Sequence, residues 1–209
     1  MTDTPSNPDQ RQSHWDHRYV EVGAEDVSWY EPEPTTSLEL LDQVGVTDAD
    51  SVIDVGGGAS RLVDALAARG HTDLTVLDVS QAALDLARQR LGDDAPVTWV
   101  HADLLTWTPE RTWAVWHDRA VFHFLTDPAD RATYRNLLQR SITPGGLVVV
   151  GTFAADGPEW CSGLPVERYD PDHLASELGD QLRLVAATRT EHHTPSGATQ
   201  PFTWVALRA

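Results

Sequence analysis

A strand-like apolar stretch that runs into three consecutive glycines constrains this sequence most. Residues 52–55 are apolar except for Asp54, and a helix-like pattern begins at residue 61, directly after the turn formed by Gly56, Gly57, Gly58, Ala59 and Ser60. A strand, a glycine turn and a helix in this order let a ligand approach the backbone amides at a helix N-terminus. The stretch therefore predicts an α/β sheet with a nucleotide-like ligand at its carboxyl edge.

A second strand pattern, at residues 74–78, ends in Asp78. This acid lies about twenty residues past the glycines, which is the spacing at which a carboxylate accepts hydrogen bonds from ribose hydroxyls. We therefore take Asp78 and the adjoining Val79 as candidate cofactor-binding residues.

The order of residues in the turn indicates which nucleotide would bind. A dinucleotide site needs G-x-G-x-x-G so that a pyrophosphate can sit on the helix N-terminus. Here the turn has Asp54 before Gly56 and Gly58, and Ser60 follows. An acid at this point would repel a pyrophosphate but suits a ligand that carries an ammonium group. The turn thus disfavours an NAD-dependent oxidoreductase.

The turn resembles motif I, D-x-G-x-G-x-G, of the class I S-adenosylmethionine-dependent methyltransferases, with Ser60 in place of the third glycine. The resemblance covers roughly residues 50–155 and implies S-adenosylmethionine as cofactor, bound by Asp54 and the three glycines. The stretch from His101 to Leu104 resembles the third cofactor motif of this family. By that resemblance Asp103 meets the adenine amino group beside Leu104, although Asp103 could instead cap a loop or helix.

Strand and helix patterns alternate from residue 52 to residue 153, and two further strand patterns follow at 182–190 and 201–207. The resemblance implies a doubly wound, seven-stranded, mostly parallel sheet with an antiparallel last strand, which is a Rossmann-like methyltransferase fold. We expect one domain over residues 13–209, with residues 1–12 as a disordered tail.

Aromatic residues are frequent before the first strand, where this family often places a helical lid over the cofactor. We expect such a lid over residues 13–48, with Trp15, Tyr19 and Tyr30 facing the cofactor and excluding water from the reacting sulfonium. The alternative is that these rings pack on the edge of the sheet.

Polar residues crowd together after the fourth strand pattern, residues 113–116. Ligands of open parallel sheets sit beyond the carboxyl ends of the strands, so His117, Asp118, Arg119 and His123 should lie near the methyl donor. His117 or His123 is the candidate general base, because histidine titrates near neutral pH, and Asp118 could orient either one. We also take His117 as a cofactor contact. A short helix would put Arg119 and His123 on one face; the alternative is a salt-bridged turn with a satisfied histidine.

The composition excludes several kinds of partner. The chain has 32 acidic and 15 basic residues, every basic one an Arg, and a net charge of −17. Such a surface repels nucleic acids and anionic membranes. The single Cys161 and the pair His192 and His193 predict no metal site, and their roles stay open. No long apolar segment is present, so we expect a soluble cytoplasmic protein.

The acceptor is expected to be a small molecule with a soft sulfur, selenium or tellurium nucleophile, or an oxygen. Protein-lysine N-methylation is the alternative, but the acceptor motif of that group, Asp/Asn-Pro-Pro-Tyr, is absent after the fourth strand. A further alternative is a cofactor-binding protein without catalysis. The sequence leaves the oligomeric state open.

Overall fold

The computed structural model describes residues 4–209, which form a seven-stranded sheet flanked by helices. The strands of this sheet are β1 (Val52–Val55), β2 (Leu74–Asp78), β3 (Val97–His101), β4 (Trp113–Arg119), β5 (Ile142–Phe153), β8 (Arg183–His193) and β9 (Thr199–Arg208). The helices are α1 (Pro8–Val22), α2 (Thr35–Gln43), α3 (Leu62–Ala68), α4 (Gln81–Leu91), α5 (Pro128–Ser141) and α6 (Pro171–Leu178). A small separate hairpin pairs β6 (Trp160–Cys161) with β7 (Leu164–Pro165).

The strand order across the sheet is β3-β2-β1-β4-β5-β9-β8. Strands β1 to β5 are parallel, and β9 runs antiparallel to both of its neighbours. This arrangement confirms the predicted fold class. Because β1 lies between β2 and β4, the chain order reverses at β1, and a crevice opens there at the carboxyl ends of the strands.

Two apolar cores lie against the sheet. One packs α5 and α6 against the strands and contains Trp116 and Tyr134; the other packs α2 and α3 and contains Leu41 and Leu62. Every residue of β1 and β2 is buried, as expected for parallel strands covered on both faces. The central strands are therefore a rigid support for whatever their carboxyl ends carry.

The first helix begins earlier than the sequence pattern suggested. It starts at Pro8, because the side chain of Asn7 accepts a hydrogen bond from the backbone N–H of Gln10 and proline fits the first helical turn. Residues 8–12 are thus helical, contrary to the expected tail over residues 1–12, of which residues 1–3 lie outside the described part of the chain. In the described range, no helix is both long and apolar enough to cross a membrane.

Candidate active site

A cavity lies at the carboxyl ends of β1, β2 and β4, and α1 covers it. A smaller cavity adjoins it, and Tyr19, Trp29, Gly56 and Arg119 line both; we call the two cavities together the cleft. Of the residues singled out from the sequence, the larger cavity is lined by Trp15, Tyr19, Gly56, Asp78, Val79, Asp103 and Leu104. The smaller cavity is lined by Tyr19, Tyr30, Asp54, Gly56, Gly57 and His117. The fold thus brings most of these residues together in one cleft.

The glycine turn has no room for side chains. Gly56 has φ +64°, and a Cβ added there would lie 2.1 Å from Cγ2 of Val121. Gly58 has φ +45°, and its Cβ would lie 2.8 Å from Oδ2 of Asp78. Left-handed backbone and close neighbours together require glycine at both positions. A Cβ on Gly57 would lie 2.5 Å from Oδ2 of Asp54. The glycines therefore leave the space beside the carboxylates of Asp54 and Asp78 free of side chains.

Asp54 points one carboxylate oxygen at a protein donor and leaves the other without one. Its Oδ1 lies 2.7 Å from Nδ1 of His117. Its Oδ2 is buried and has no hydrogen-bond partner among residues 4–209. An unpaired buried acceptor is costly, so this oxygen is suited to a donor group supplied by a ligand.

Asp78 is buried at the tip of β2 and accepts a hydrogen bond of 2.7 Å from the backbone N–H of Ser80. Burial raises the pKa of Asp78 to about 7, and the nearby charges of Asp54 and Asp16 add to the effect. Asp16 was not found from the sequence. Its Oδ1 accepts from Oγ of Ser80 at 2.7 Å and from the N–H of Ala82, so it ties α1 to the start of α4.

Asp103 uses both of its carboxylate oxygens. Oδ1 accepts from the backbone N–H of Leu105 at 2.9 Å, and Oδ2 lies 2.6 Å from Nε of Arg11. Arg11 was also missed by the sequence reasoning, because it lies in the stretch expected to be disordered. The arginine joins α1 to the loop after β3, and it lines the larger cavity together with Asp103 and Leu104.

Aromatic rings form the cover of the cavity. Trp15 meets Trp29 edge-on at 5.7 Å and Phe124 at 5.0 Å, measured between ring centroids. Nε1 of Trp29 donates to the hydroxyl of Tyr19 at 3.2 Å. Trp15, Tyr19 and Trp29 all line the larger cavity, while Tyr30 lies at the smaller one; a lid over the cofactor stays a prediction.

His117 is buried between two polar partners. Its Nδ1 donates to Asp54, and its Nε2 lies 2.9 Å from Oγ of Ser37, at the start of α2. Both ring nitrogens are therefore engaged by the protein. His117 lines the smaller cavity, and neither of its ring nitrogens is free to take a proton from an acceptor.

The carboxylate of Asp118 is hydrogen-bonded to neither candidate base. Its carboxylate accepts from the hydroxyl of Tyr134 at 2.7 Å and from the backbone N–H of Val121 at 3.0 Å. Burial raises the pKa of Asp118 to about 6. Contrary to the expected orienting role, Asp118 has no hydrogen bond to His117 or His123, and its place is in the core on the α5 side of the sheet.

His123 lies outside the cleft. It sits in a 3-10 turn, Phe122–Phe124, and not on a helical face shared with Arg119, which ends β4. Its ring is buried against Phe153, whose backbone N–H approaches Nδ1 at 3.4 Å. Burial, with the charge of Arg119, lowers the pKa of His123 to about 3. This position and this pKa do not suit the general base expected from the sequence.

Arg119 lines both cavities, whereas His117 lines only the smaller one. Arg119 donates to the backbone carbonyl of Trp29 at 2.8 Å and pairs with Glu31 at 2.9 Å. His192, from the β8–β9 hairpin, supports the same segment by donating from Nε2 to the carbonyl of Ser28 at 2.8 Å. These contacts fix residues 28–31, which are part of the connection between α1 and α2.

Metal ligands do not cluster in the part of the chain that the structure describes: no group of three or more His, Cys, Asp or Glu side chains there could hold an ion. His193 is exposed and approaches the hydroxyl of Thr199. Cys161 is buried in the cavity wall, and burial raises the pKa of its thiol.

Comparisons of the sequence relate the chain to known methyltransferases. Residues 52–146 match the family described as Methyltransferase domain. The chain is 31% identical over 153 residues to trans-aconitate 2-methyltransferase from Methylobacterium radiotolerans, and the match covers 73% of this chain and 50% of that protein. It is 29% identical over 171 residues to an uncharacterized methyltransferase of Mycobacterium tuberculosis, with 81% and 80% covered. The chain thus spans half the length of the first relative and four-fifths of the second.

The fold of the chain is also similar to that of solved methyltransferase structures. The structure of the N-methyltransferase NodS from Bradyrhizobium japonicum, solved in complex with S-adenosyl-l-homocysteine, matches with a TM-score of 0.72 at 18% identity. The match covers 93% of this chain and 97% of that chain. At this identity the likeness demonstrates a shared fold.

Proposed function

Because this chain belongs to the class I S-adenosylmethionine-dependent methyltransferases, we propose that it transfers the cofactor's methyl group to a small molecule bound under α1. The observation that carries the proposal is the convergence of Asp54, Asp78 and Asp103 on one cleft beside the glycine turn. When bound, the cofactor supplies an activated methyl group on a positively charged sulfur.

The residues of the cleft fit this cofactor. The unpartnered Oδ2 of Asp54 would accept from its ammonium group, and Asp78 would accept from the ribose hydroxyls. Leu104 and Asp103 would contact the adenine, with Arg11 adjusting its ion pair to Asp103 as the ring enters. The open space beside the glycine turn admits the ligand close to the backbone. The buried carboxylates also match a ligand that carries positive charge on nitrogen and on sulfur.

The acceptor end of the cleft favours a small molecule. Apolar and aromatic side chains surround it, contributed by Trp15, Trp29, Val121, Phe124 and Leu125. An apolar enclosure of this kind can align acceptor and donor, and alignment can lower a barrier by about 7–11 kcal/mol.

The acceptor that suits this site carries no proton to remove. His117 has both nitrogens engaged and His123 is outside the cleft, so neither histidine is placed as a base. Arg119 lines the cavity, and its Nε has no hydrogen-bond partner among the described residues, which favours an electron-rich or anionic acceptor. A thiolate, a selenium or tellurium nucleophile, or a carboxylate oxygen meets both conditions. Trans-aconitate, which appears in the name of the relative from Methylobacterium radiotolerans, offers carboxylate oxygens.

Two measurements test the proposal. Calorimetry with S-adenosylmethionine, S-adenosylhomocysteine and NAD comes first; an enzyme of this class should bind the first two and ignore NAD. A methyl-release screen across thiols, selenols, carboxylic acids including trans-aconitate, amines and lysine-bearing peptides then identifies the acceptor. Asp54→Ala is the matched variant, because it removes the free acceptor oxygen and should abolish both binding and turnover.

The possible outcomes separate the alternatives. Turnover of lysine peptides alone would favour protein methylation, and cofactor binding without turnover of any acceptor would favour a non-catalytic binding protein. Failure to bind the methyl donor at millimolar concentration would refute the proposal. A cytoplasmic location and the lack of nucleic-acid and membrane partners stay predictions.

A further inference from the structure

Three buried polar side chains from three different elements form a hydrogen-bonded chain beneath the cofactor side of the cleft. Ser37 comes from α2, His117 from β4 and Asp54 from β1, and their exposed fractions are 1%, 2% and 4%. Oγ of Ser37 lies 2.9 Å from Nε2 of His117, and Nδ1 of His117 lies 2.7 Å from Oδ1 of Asp54. We call this the Ser37–His117–Asp54 chain.

The register of the sheet brings two members together. Strands β1 and β4 are parallel neighbours, and Asp54 pairs directly with His117 across them. Residues at paired positions point to the same face of a sheet. Ser37 reaches this face from the first turn of α2, which begins after Pro34 and packs on β5.

The direction of the hydrogen bonds in the Ser37–His117–Asp54 chain follows from the carboxylate at its end. A carboxylate only accepts, so Nδ1 of His117 carries the hydrogen that Asp54 receives. Nε2 is then the lone-pair nitrogen, and the hydroxyl of Ser37 donates to it. One partner on each side of the ring fixes its tautomer and its orientation.

The Ser37–His117–Asp54 chain determines where the free oxygen of Asp54 points. With Oδ1 held by His117, the carboxylate cannot rotate, and Oδ2 stays buried and unpartnered within residues 4–209. Oδ2 faces the glycine turn, 2.5 Å from where a Cβ on Gly57 would lie. A single acceptor oxygen is therefore presented to the cleft in a fixed position.

The same three residue types form the catalytic triads of hydrolases. Ser37 is 1% exposed here and its hydroxyl hydrogen is used by His117, so it is not placed as a nucleophile. The arrangement instead resembles the second layer of contacts that orients a binding group.

We propose that His117 and Ser37 are positioning residues that hold Asp54 so that its Oδ2 receives the ammonium group of the cofactor's amino-acid part. This inference rests on the proposed function, since it concerns how the same cofactor is bound. It predicts that loss of His117 weakens recognition of the amino-acid part and leaves recognition of the adenosyl part intact.

The test compares two ligands by calorimetry, without turnover. S-Adenosylhomocysteine carries the ammonium group, and 5′-methylthioadenosine lacks the whole amino-acid part. His117→Leu should weaken S-adenosylhomocysteine by about tenfold or more, the loss expected for a hydrogen bond to a charged group, while 5′-methylthioadenosine changes by less than about threefold. Binding of the second ligand also shows that the variant is folded.

Two isosteric variants sharpen the test. The amide of Asn can take the place of Nδ1 and that of Gln the place of Nε2, so His117→Asn should keep most of the affinity for S-adenosylhomocysteine and His117→Gln should lose it. Ser37→Ala removes only the outer partner and should have an effect of a few fold.

Several results would overturn the inference. Equal losses for both ligands in His117→Leu would mean a general structural role, and unchanged affinities would mean that Asp54 needs no support. Equal behaviour of His117→Asn and His117→Gln would also count against it. Failure of the wild-type protein to bind S-adenosylhomocysteine would instead refute the proposed function.

Discussion

Asp78→Asn should make the cofactor-free protein more stable while it weakens cofactor binding. Asp78 is buried, and burial together with the charges of Asp54 and Asp16 raises its pKa from 3.8 to about 7. The folded state therefore holds a proton that the unfolded state releases between these two pH values. Because the folded state binds more protons there, the free energy of unfolding falls as the pH rises through this window.

The size of the effect follows from the shift. Each unit of pKa corresponds to about 1.36 kcal/mol, so the ionised carboxylate of Asp78 costs the folded state up to about 4 kcal/mol above pH 7. Asn is neutral throughout and its side-chain oxygen can still accept from the N–H of Ser80. The free energy of unfolding of the variant minus that of the wild type should thus be about 3 kcal/mol larger at pH 8 than at pH 5.

Urea denaturation of the cofactor-free protein at several pH values between about 5 and 8 measures this difference. Asp85→Asn is the matched control, since Asp85 is an exposed acid on α4 and its replacement should give a difference that hardly depends on pH. A gain for Asp78→Asn that does not change with pH, or a loss of stability at pH 8, would refute the reasoning.

The same substitution should have the opposite effect on binding. A carboxylate is a stronger acceptor for the ribose hydroxyls than an amide, so Asp78→Asn should weaken S-adenosylhomocysteine by about 10- to 100-fold. Calorimetry on the two proteins checks this. Together, higher stability and weaker binding in Asp78→Asn would show that the buried charge of Asp78 lowers stability but strengthens ligand binding.

Three further predictions concern the turn and the region after β4. Gly56→Ala should lower the free energy of unfolding by about 1–3 kcal/mol, because the added Cβ meets Val121 and the backbone has φ +64°; thermal unfolding measures it, and an unchanged melting temperature would contradict it. Tyr134→Phe removes the donor to the buried Asp118 and should cost about 1–3 kcal/mol in urea, so a neutral result would refute that pairing. Because burial lowers the pKa of His123 to about 3, His123→Gln should leave the pH profile of kcat unchanged near pH 6.5. A step near pH 6.5 that is present in the wild type and lost in this variant would restore His123 as the base.

Local sequence patterns were sufficient for the fold and for the main acids of the cleft. The apolar run before Gly56, the helix pattern after it and the acids at the ends of successive strands are all short-range features. Parallel strands place their carboxyl ends on one edge, so Asp54, Asp78 and Asp103 had to approach one another once the strands were assigned.

For helix α1, the spacing of aromatic residues in the sequence predicted some of the contacts but not all of them. Trp15 and Tyr19 lie four residues apart, which predicts one helical face, and both rings line the cavity. Asp16 and Arg11 gave no comparable signal, because their partners, Ser80 and Asp103, lie 64 and 92 residues away. Contacts of this range depend on how α1 packs across the sheet edge.

The side chains after β4 were decided by tertiary structure alone. His117 and Asp118 are neighbours in the sequence, which suggested that they act together, but successive residues of a strand point to opposite faces of the sheet. His117 meets Asp54 and Ser37 on one face, and Asp118 meets Tyr134 on the other. The sequence by itself determined that polar groups gather at this strand end, whereas the packing of α2 and α5 on the two faces determined which of them can reach the cleft.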